Sequence, residues 1–387
     1  MKSLSSYYFL YYLAMSVYLP YMSIYFSDRG FSSTQVGMIF SLLAFVSVIA
    51  QPIMGLLNDR TSDPRKILLL CISVAPILSL GFYYMGSLTA IMALSIVYAW
   101  FQSSAGPISD SLANDIGNRE GFSFGSIRLW GALSYSLGTL GTGFLYGKIG
   151  YDNIFFAYLV ISLALVFTIF YLPKVKPSPH KTKLFDQAKE VLHNKPFVLF
   201  VGICLLVNLC MSMNFTFLPL YFKEMAFDKK WLGTAFAIAA IVEVPMFYIS
   251  AKLGKRLGQF NVLCMVAVLN AFRYILIYTF HNVYLVLALQ VVDGITFAFF
   301  ASLAVEVVGG YASERTKATF QAIFAAIAYG LGSILGSSAG GVIIDYKGAP
   351  ALYLVLFFVS MVAGLLFFIS KHALQKTADK APPFISA

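Results

Sequence analysis

An acid stands inside one apolar run and a base near the start of the next, in the stretch Gly106 to Gly131 that reads GPISDSLANDIGNREGFSFGSIRLWG. They are Asp110 and Arg128, 18 positions apart, nine on either side of a polar turn expected near Arg119 and Glu120. If the flanking runs are antiparallel helices, the two side chains lie at matching depth, about 10 Å in at 1.5 Å rise per residue, and can face each other. A guanidinium supplies a fork of donors and a carboxylate supplies acceptors. That pairing suits a sugar, a nucleoside, or a hydroxylated or carboxylated aromatic. Trp130 has a ring to stack on such a solute, although a tryptophan beside a loop also serves as an interfacial anchor or packing residue. Tyr18, at mid-depth in a tyrosine-rich first run, and Asn208 and Asn214 in the seventh are further candidates to line a polar cavity. Interhelical hydrogen bonding is the competing role of the two asparagines.

A second set could move a proton. Glu243 lies midway along its apolar run, while Arg273 and Asp293 flank a turn at His281 and Asn282, about eight and eleven residues away. These positions bring all three to one level between the eighth, ninth and tenth runs. A carboxyl held between burial, which favours its neutral form, and an arginine, which favours the anion, can exchange a proton near neutral pH. The competing reading is a static buried salt bridge. Charges inside a membrane are kept mainly when they pair or face a polar path, which favours function at both sites.

The elements that must position these groups are membrane spans. Of the 387 residues 59% are hydrophobic and 11% charged, and mean hydropathy is +0.79. A chain of that composition is an all-α polytopic membrane protein rather than a soluble one. Twelve apolar runs are expected, near 5–27, 34–58, 66–86, 88–113, 124–147, 152–172, 197–222, 230–254, 260–280, 283–309, 317–344 and 350–370. The net charge of +10 does not indicate nucleic acid, because the basic residues gather in alternate loops. The side holding both termini collects the larger share of the 27 lysines and arginines, which makes it cytoplasmic. A basic, proline-bearing connector separates six runs from six. The expected organisation is an N-terminal six-helix bundle over 1–172, a cytoplasmic linker over 173–196 with a short amphipathic helix near 184–192, a C-terminal bundle over 197–371 and a tail over 372–387. The halves repeat: LSYSLGTLGTG (133–143) lies on IAYGLGSILGS (327–337), and AYLV (157–160) on LYLV (352–355), at an offset of 194 to 195. Arg128 has no counterpart, since an uncharged residue near Gln321 and Ala322 stands there.

The turn GLLNDRTSDPRK, with Gly55, Asp59, Arg60, Arg65 and Lys66, resembles the Gly-x-x-x-Asp-Arg-x-Gly-Arg-Arg signature of the major facilitator superfamily, stretched by one residue and lacking its second glycine. The resemblance implies two pseudo-symmetric six-helix bundles and a charge clamp between the halves that favours the outward-open state. The hairpin Pro-x-x-Asp followed by Phe-Gly-x-x-Arg-Leu-Trp-Gly is similar to the lactose permease branch and its phenylpropionic acid permease-like relatives. There, an acid and an arginine at this separation contact the substrate, which implies that role for Asp110 and Arg128. By the same resemblance AIVEVPMF places Glu243 at a proton-linked glutamate, and LNAFRYI places Arg273 at the arginine that aids deprotonation. LQVVDGITFAFF places Asp293 where the branch has histidine, with Thr296 at the proton-carrying glutamate. An alternative registration sets Asp293 on that glutamate and Gln290 on the histidine.

There is no Gly-x-x-x-x-Gly-Lys-Ser/Thr motif, no nucleophile–base set and no metal-ligand spacing, so neither ATP nor a metal nor enzymatic chemistry is expected. Cys71, Cys204, Cys210 and Cys264 read as packing residues. The expected protein is a monomeric plasma (inner) membrane carrier driven by the proton motive force, with Na⁺ a weaker candidate for the coupling ion. It would take up a small polar organic solute by alternating access. An antiporting drug or metabolite exporter is the rival within transport. A non-transporting solute sensor is the rival from another class, and the short tail beyond residue 370 offers it no signalling domain.

Overall fold

The computed structural model describes residues 2–122, 124–174, 191, 193–313 and 316–378. Twelve helical segments alternate in direction: α1 (Lys2–Asp28), α2 (Ser33–Arg60), α3 (Pro64–Tyr84), α4 (Leu88–Glu120), α5 (Phe124–Ile149), α6 (Ile154–Phe170), α7 (Lys195–Glu224), α8 (Lys230–Leu257), α9 (Gln259–Thr279), α10 (Val283–Tyr311), α11 (Lys317–Lys347) and α12 (Ala349–Ala378). Ten are long and apolar enough to cross a membrane. Of the other two, α6 is apolar but has 17 residues, and α5 has 26 with Arg128 and many Gly, Ser and Thr diluting its apolar character. Helices are the solution because each satisfies its own backbone groups where no water can. The expected linker and its amphipathic helix lie largely outside the described residues.

The termini share one side of the helix array, here the terminal side; the other is the distal side. Helix pairing repeats between halves: α1 packs on α5 and α6 as α7 does on α11 and α12, and α2 packs on α4 as α8 does on α10. Across the halves, α2 meets α11 and α5 meets α8. These crossings are tightest distally. Gly37 and Gly341 of the first pair abut the backbones of Ser337 and Ser33, and Gly143 abuts Gly233 in the second, leaving no room for a Cβ. The largest buried apolar cluster follows the same logic. It fills the N-terminal bundle and crosses over through Met213, Phe217 and Tyr221 of α7 and Leu232 and Phe236 of α8, all in the distal half. A separate cluster of Phe197, Phe200, Leu263 and Leu303 fills the C-terminal bundle near the terminal side. The bundles are thus joined distally and stand apart on the terminal side.

Local chemistry explains the irregularities. α1 breaks after Ser16 into a 3₁₀ turn at Leu19–Tyr21, where Pro20 cannot donate, and resumes at Met22. Helix continues through Pro52, Pro107, Pro219 and Pro245. α11 widens into a π turn over Ala325–Leu331. The turn expected near Arg119 and Glu120 is still helical; α4 ends when Gly121 takes a left-handed cap at φ 75°. Polar residues outside the hydrocarbon extend a helix as readily as apolar ones inside it, so the apolar boundary understated its length.

Asp63 starts α3. Its carboxylate accepts from the Arg65 backbone N–H and, bidentately, from Arg65 Nε at 2.8 Å and Nη2 at 2.7 Å. The Arg65 side chain thereby holds the Asp63 carboxyl below the usual aspartate range. Replacing Asp63 with Ala should lower stability by about 1–2 kcal/mol at neutral pH, the value of a lost N-cap. A group with a lowered titration contributes fully above its ordinary range and loses that contribution as pH falls through the lowered one. The gap between wild type and variant should therefore close below about pH 4, read by thermal unfolding in detergent.

Candidate functional site

Asp110 and Arg128 do meet, but through α1 rather than by direct helix packing. α4 and α5 touch little along their length, and α1 packs on α5 beside them. Arg128 Nη1 stands 3.5 Å from Asp110 Oδ1, and the Tyr8 hydroxyl donates to the same oxygen at 2.7 Å. The Arg128 guanidinium lies over the Tyr12 ring, 4.7 Å from its centroid. Tyr8 and Tyr12, four residues apart, share a face of α1. Gly131 makes room for this platform, because a Cβ there would strike the Tyr12 ring. Tyr7 donates to or accepts from Ser109 at 2.6 Å, which locks the register of α1 against α4.

The pair is half exposed, with Arg128 at 48% and Asp110 at 39% of side-chain area open. The exposed face looks across at the other bundle, since Glu243 of α8 lies within electrostatic range of both Arg128 and Tyr12. This is the wall of a cleft between bundles, open on the terminal side. Glu243 itself has no hydrogen-bond or ion-pair partner among the described residues. Asp293 is nearby on α10. Gly294 permits that proximity by abutting the backbone of Ala239 and the side chain of Val242 on α8.

Asp293 is ion-paired to Arg273. Arg273 is fully buried, lies over the Tyr274 ring at 4.6 Å, and finds no hydrogen-bond acceptor for Nε or Nη2. Asp293 is 25% open, so the carboxylate faces the cleft and seals the guanidinium behind it. The three expected residues thus converge, with Glu243 in range of Asp293 rather than bonded to it. Thr296 donates to Asn270 Oδ1 at 3.1 Å and to the Asp293 carbonyl at 3.0 Å, and buried Gln290 donates to the Val286 carbonyl of its own helix. Thr296 and Gln290 shape the helix around Asp293 and leave the cleft to the carboxyls.

Several expected cavity residues are placed elsewhere. Trp130, half exposed, is two residues from Arg128 and so about 200° round α5 from it, on the stripe shared with exposed Leu133 and Leu137. Its ring therefore lies on the outer, apolar face of α5, away from Arg128. Tyr18 is buried inside the N-terminal bundle, accepting from Tyr98 at 2.8 Å with the Tyr158 ring 4.1 Å away. Asn214 accepts from Tyr353 within the C-terminal bundle. Asn208 donates to the Tyr329 carbonyl and Ser333 hydroxyl, both at 3.3 Å, and so fastens α7 to the π turn of α11. Tyr8 and Tyr12 are the site residues that sequence reasoning passed over; the only signal for them is their spacing of four.

The signature turn is equally specific. Arg65 donates to the Leu172 carbonyl at 2.8 Å, tying α3 to the end of α6 within one bundle. Asp59 and Arg60 have no hydrogen-bond or ion-pair partner among the described residues, and Gly55 faces open space. The expected clamp between halves is unmade here, because the bundles stand apart on this side.

A twelve-helix array in two matching halves, with an ionised cleft between them, defines a secondary transporter of the major facilitator fold. The chain matches the model of the MFS_1 like family over residues 1–355 and belongs to that family. It is similar to maltose permease of Geobacillus stearothermophilus, 27% identical over 376 residues that cover 97% of this chain and 95% of that one. It is also similar to a probable 3-phenylpropionic acid transporter of Escherichia coli (strain K12), 25% identical over 276 residues, 69% of this chain and 71% of that one. Among solved structures, the nucleoside transporter NupG shares the fold with a TM-score of 0.83 at 18% identity, covering 97% of this chain and 98% of that one. The protein is therefore a multi-pass membrane carrier of a small-molecule solute.

Removing one member of a buried ion pair typically costs about 3–5 kcal/mol. Asp293→Ala should destabilise the protein by that order, and Arg273→Met added to it should restore most of the loss. Thermal unfolding of the single and double variants checks this; a single variant as stable as wild type would show that the pair does not hold the C-terminal bundle.

Proposed function

We propose that this protein is a proton-coupled symporter of a small, neutral, polyhydroxylated solute, a sugar or a nucleoside, working by alternating access between its bundles. The observation that carries the reading is Glu243, a carboxyl at the cleft with no hydrogen-bond or ion-pair partner among the described residues, in electrostatic range of both Asp293 and Arg128. A carboxyl without a counter-ion at that depth is a natural resting place for a proton. Arg128, reaching across from the opposite bundle, changes its distance to Glu243 whenever the bundles rock, which would couple proton release to the change of access.

The charges of the cleft favour the neutral solute. Asp110, Glu243 and Asp293 face it with one open guanidinium, Arg128, which Asp110 already holds; Arg273 is sealed behind Asp293. A carboxylate solute would find no unpaired cation there, since both guanidinium groups already have a carboxylate partner. A polyhydroxylated one finds acceptors in the carboxyls and donors in Arg128. The names of the maltose and nucleoside transporters fit this chemistry better than that of the aromatic acid transporter. Lys and Arg placement supports a cytoplasmic terminal side, so the cleft would open inward in a plasma (inner) membrane, with neither ATP nor any other cofactor. The driving force is the proton gradient, and a monomer suffices.

The purified protein in vesicles should alkalinise the outside on addition of a sugar or nucleoside and not on addition of an aromatic acid. Glu243→Gln should abolish uphill accumulation and keep solute exchange measurable. Acidification on adding a hydrophobic cation would replace symport with antiport. Binding without any flux would make the protein a sensor.

A further inference from the structure

The distal closure contains a hydrogen-bonded device that joins the two halves of the chain. α2 begins at Ser33, and a helix's first N–H groups have no partner within it. Ser32 serves one of them, as its hydroxyl accepts from Gln35 N at 3.2 Å while Gln35 Oε1 accepts from Ser32 N at 3.0 Å. The N–H groups of Ser33 and Thr34 are served instead by Asp345, near the distal end of α11, whose Oδ1 and Oδ2 accept from them at 2.8 Å each. The carboxylate also sits at the positive end of the α2 dipole. Gly341, one turn earlier on α11, abuts Ser33, and Gly37, one turn into α2, abuts Ser337, so the two helices approach closely enough for the acid to reach. Lower down, Ser41 meets Ser338 at 2.6 Å.

Among the described residues the other end-capping acids act within one half: Asp63 caps its own α3, Asp228 accepts from Lys230 N at the start of α8, and Glu224 accepts from Ala349 N at the start of α12 in the same bundle. Asp345 caps a helix of the opposite bundle. We propose that Asp345 is the distal latch of the carrier, a positioning residue that holds the terminally open state by capping α2 and must release it for the distal side to open. The ion pair of Asp28 with Lys223, at 2.8 Å between the distal ends of α1 and α7, lies on the same face and closes with it. On the terminal side Asp59, which has no hydrogen-bond or ion-pair partner among the described residues, lies at the end of the same helix α2, so α2 is capped at its start by an acid of α11 and ends on an acid of its own. In the distally open state the two would exchange roles. The proposal requires alternating access but neither proton coupling nor any particular solute, so it can fail or stand independently of them.

The test uses spin labels at Tyr84→Cys and Phe280→Cys, both exposed at distal helix ends, with Cys264→Ala to remove the half-buried native thiol. Asp345→Ala should shift the pulsed-EPR distance distribution towards longer separations, with the ratio of open to closed populations rising roughly tenfold, the scale of a charge at a helix terminus with its hydrogen bonds. Thermal stability should fall only modestly, as for Asp63→Ala, and in the distance distribution Asp345→Asn, which keeps one acceptor, should fall between. A second variant attacks the donor instead: Ser33→Pro removes one of the two N–H groups at a position where helices tolerate proline, and the extended Ser32 at φ −66° and ψ 161° is compatible with a following proline. If the two groups form one latch, the double variant shifts no further than Asp345→Ala alone. An unchanged distribution in both single variants, or fully additive shifts in the double, would overturn the assignment.

Discussion

An ionised side chain inside hydrocarbon must find a counter-charge, hydrogen bonds or water, and the structure is arranged around that demand. Arg273 has no route to solvent and is held by Asp293 on one side and the Tyr274 ring on the other. Arg128 has a route to solvent through the cleft, and its partners are correspondingly looser: a carboxylate at 3.5 Å and a tyrosine face at 4.7 Å. The glycines follow from the same demand. Gly131 lets the Tyr12 ring lie flat beneath Arg128, and Gly294 lets α10 approach α8 until Asp293 comes within range of Glu243. Neither glycine needs an unusual backbone; each is small because a charged neighbour needs the space.

The spans were legible because bilayer thickness prescribes their length, and the described helices begin and end close to the apolar runs. The meeting of Asp110 with Arg128, and of Arg273 with Asp293 in range of Glu243, was legible because buried charges must associate and equal depth leaves few choices. Which face each helix presents was not. In a bilayer the lipid-facing stripe and the packed core are equally apolar, so periodicity that would orient a helix in water gives no answer here. Trp130 illustrates this: its neighbourhood to Arg128 in sequence suggested the cleft, while its angle on α5 places it with the exposed Leu133 and Leu137. Tyr18 and Asn214 fail for the complementary reason, since a polar atom in a bundle can be satisfied by another buried polar atom as well as by a solute. Tyr8 and Tyr12 have no signal beyond their spacing of four, because their role comes from α1 lying beside both α4 and α5.

The two halves share a scaffold and divide the chemistry. At the repeat offset of 195, Asp293 corresponds to Tyr98, Arg273 to Leu78, and Tyr353 to Tyr158. In the N-terminal bundle Tyr98, Tyr18 and Tyr158 make a closed, uncharged cluster that asks nothing of its surroundings. In the C-terminal bundle the equivalent space holds an ion pair whose acid faces the cleft. The N-terminal bundle presents its own charges one layer nearer the terminal side, on α4 and α5. A duplicated fold has thus kept one interior neutral and rigid and charged the other, which places Glu243 and Asp293 on one moving body and Arg128 on the other.

That division gives the distal seam its importance. Arg128 on one bundle and Glu243 on the other lie in electrostatic range across the cleft, and contacts at the distal end hold the bundles apart on the terminal side. The apolar core that crosses through α7 and α8, the glycine contacts of α2 with α11 and of α5 with α8, and the bonds of Asp345 and Lys223 are those contacts, at the far end of the same helices. Because each helix is stiff along its length, distal contact and terminal separation are one geometric fact. A change of charge within the cleft would therefore reach the distal seam through the tilt of α2, α5, α8 and α11, with no contact needed between the two ends.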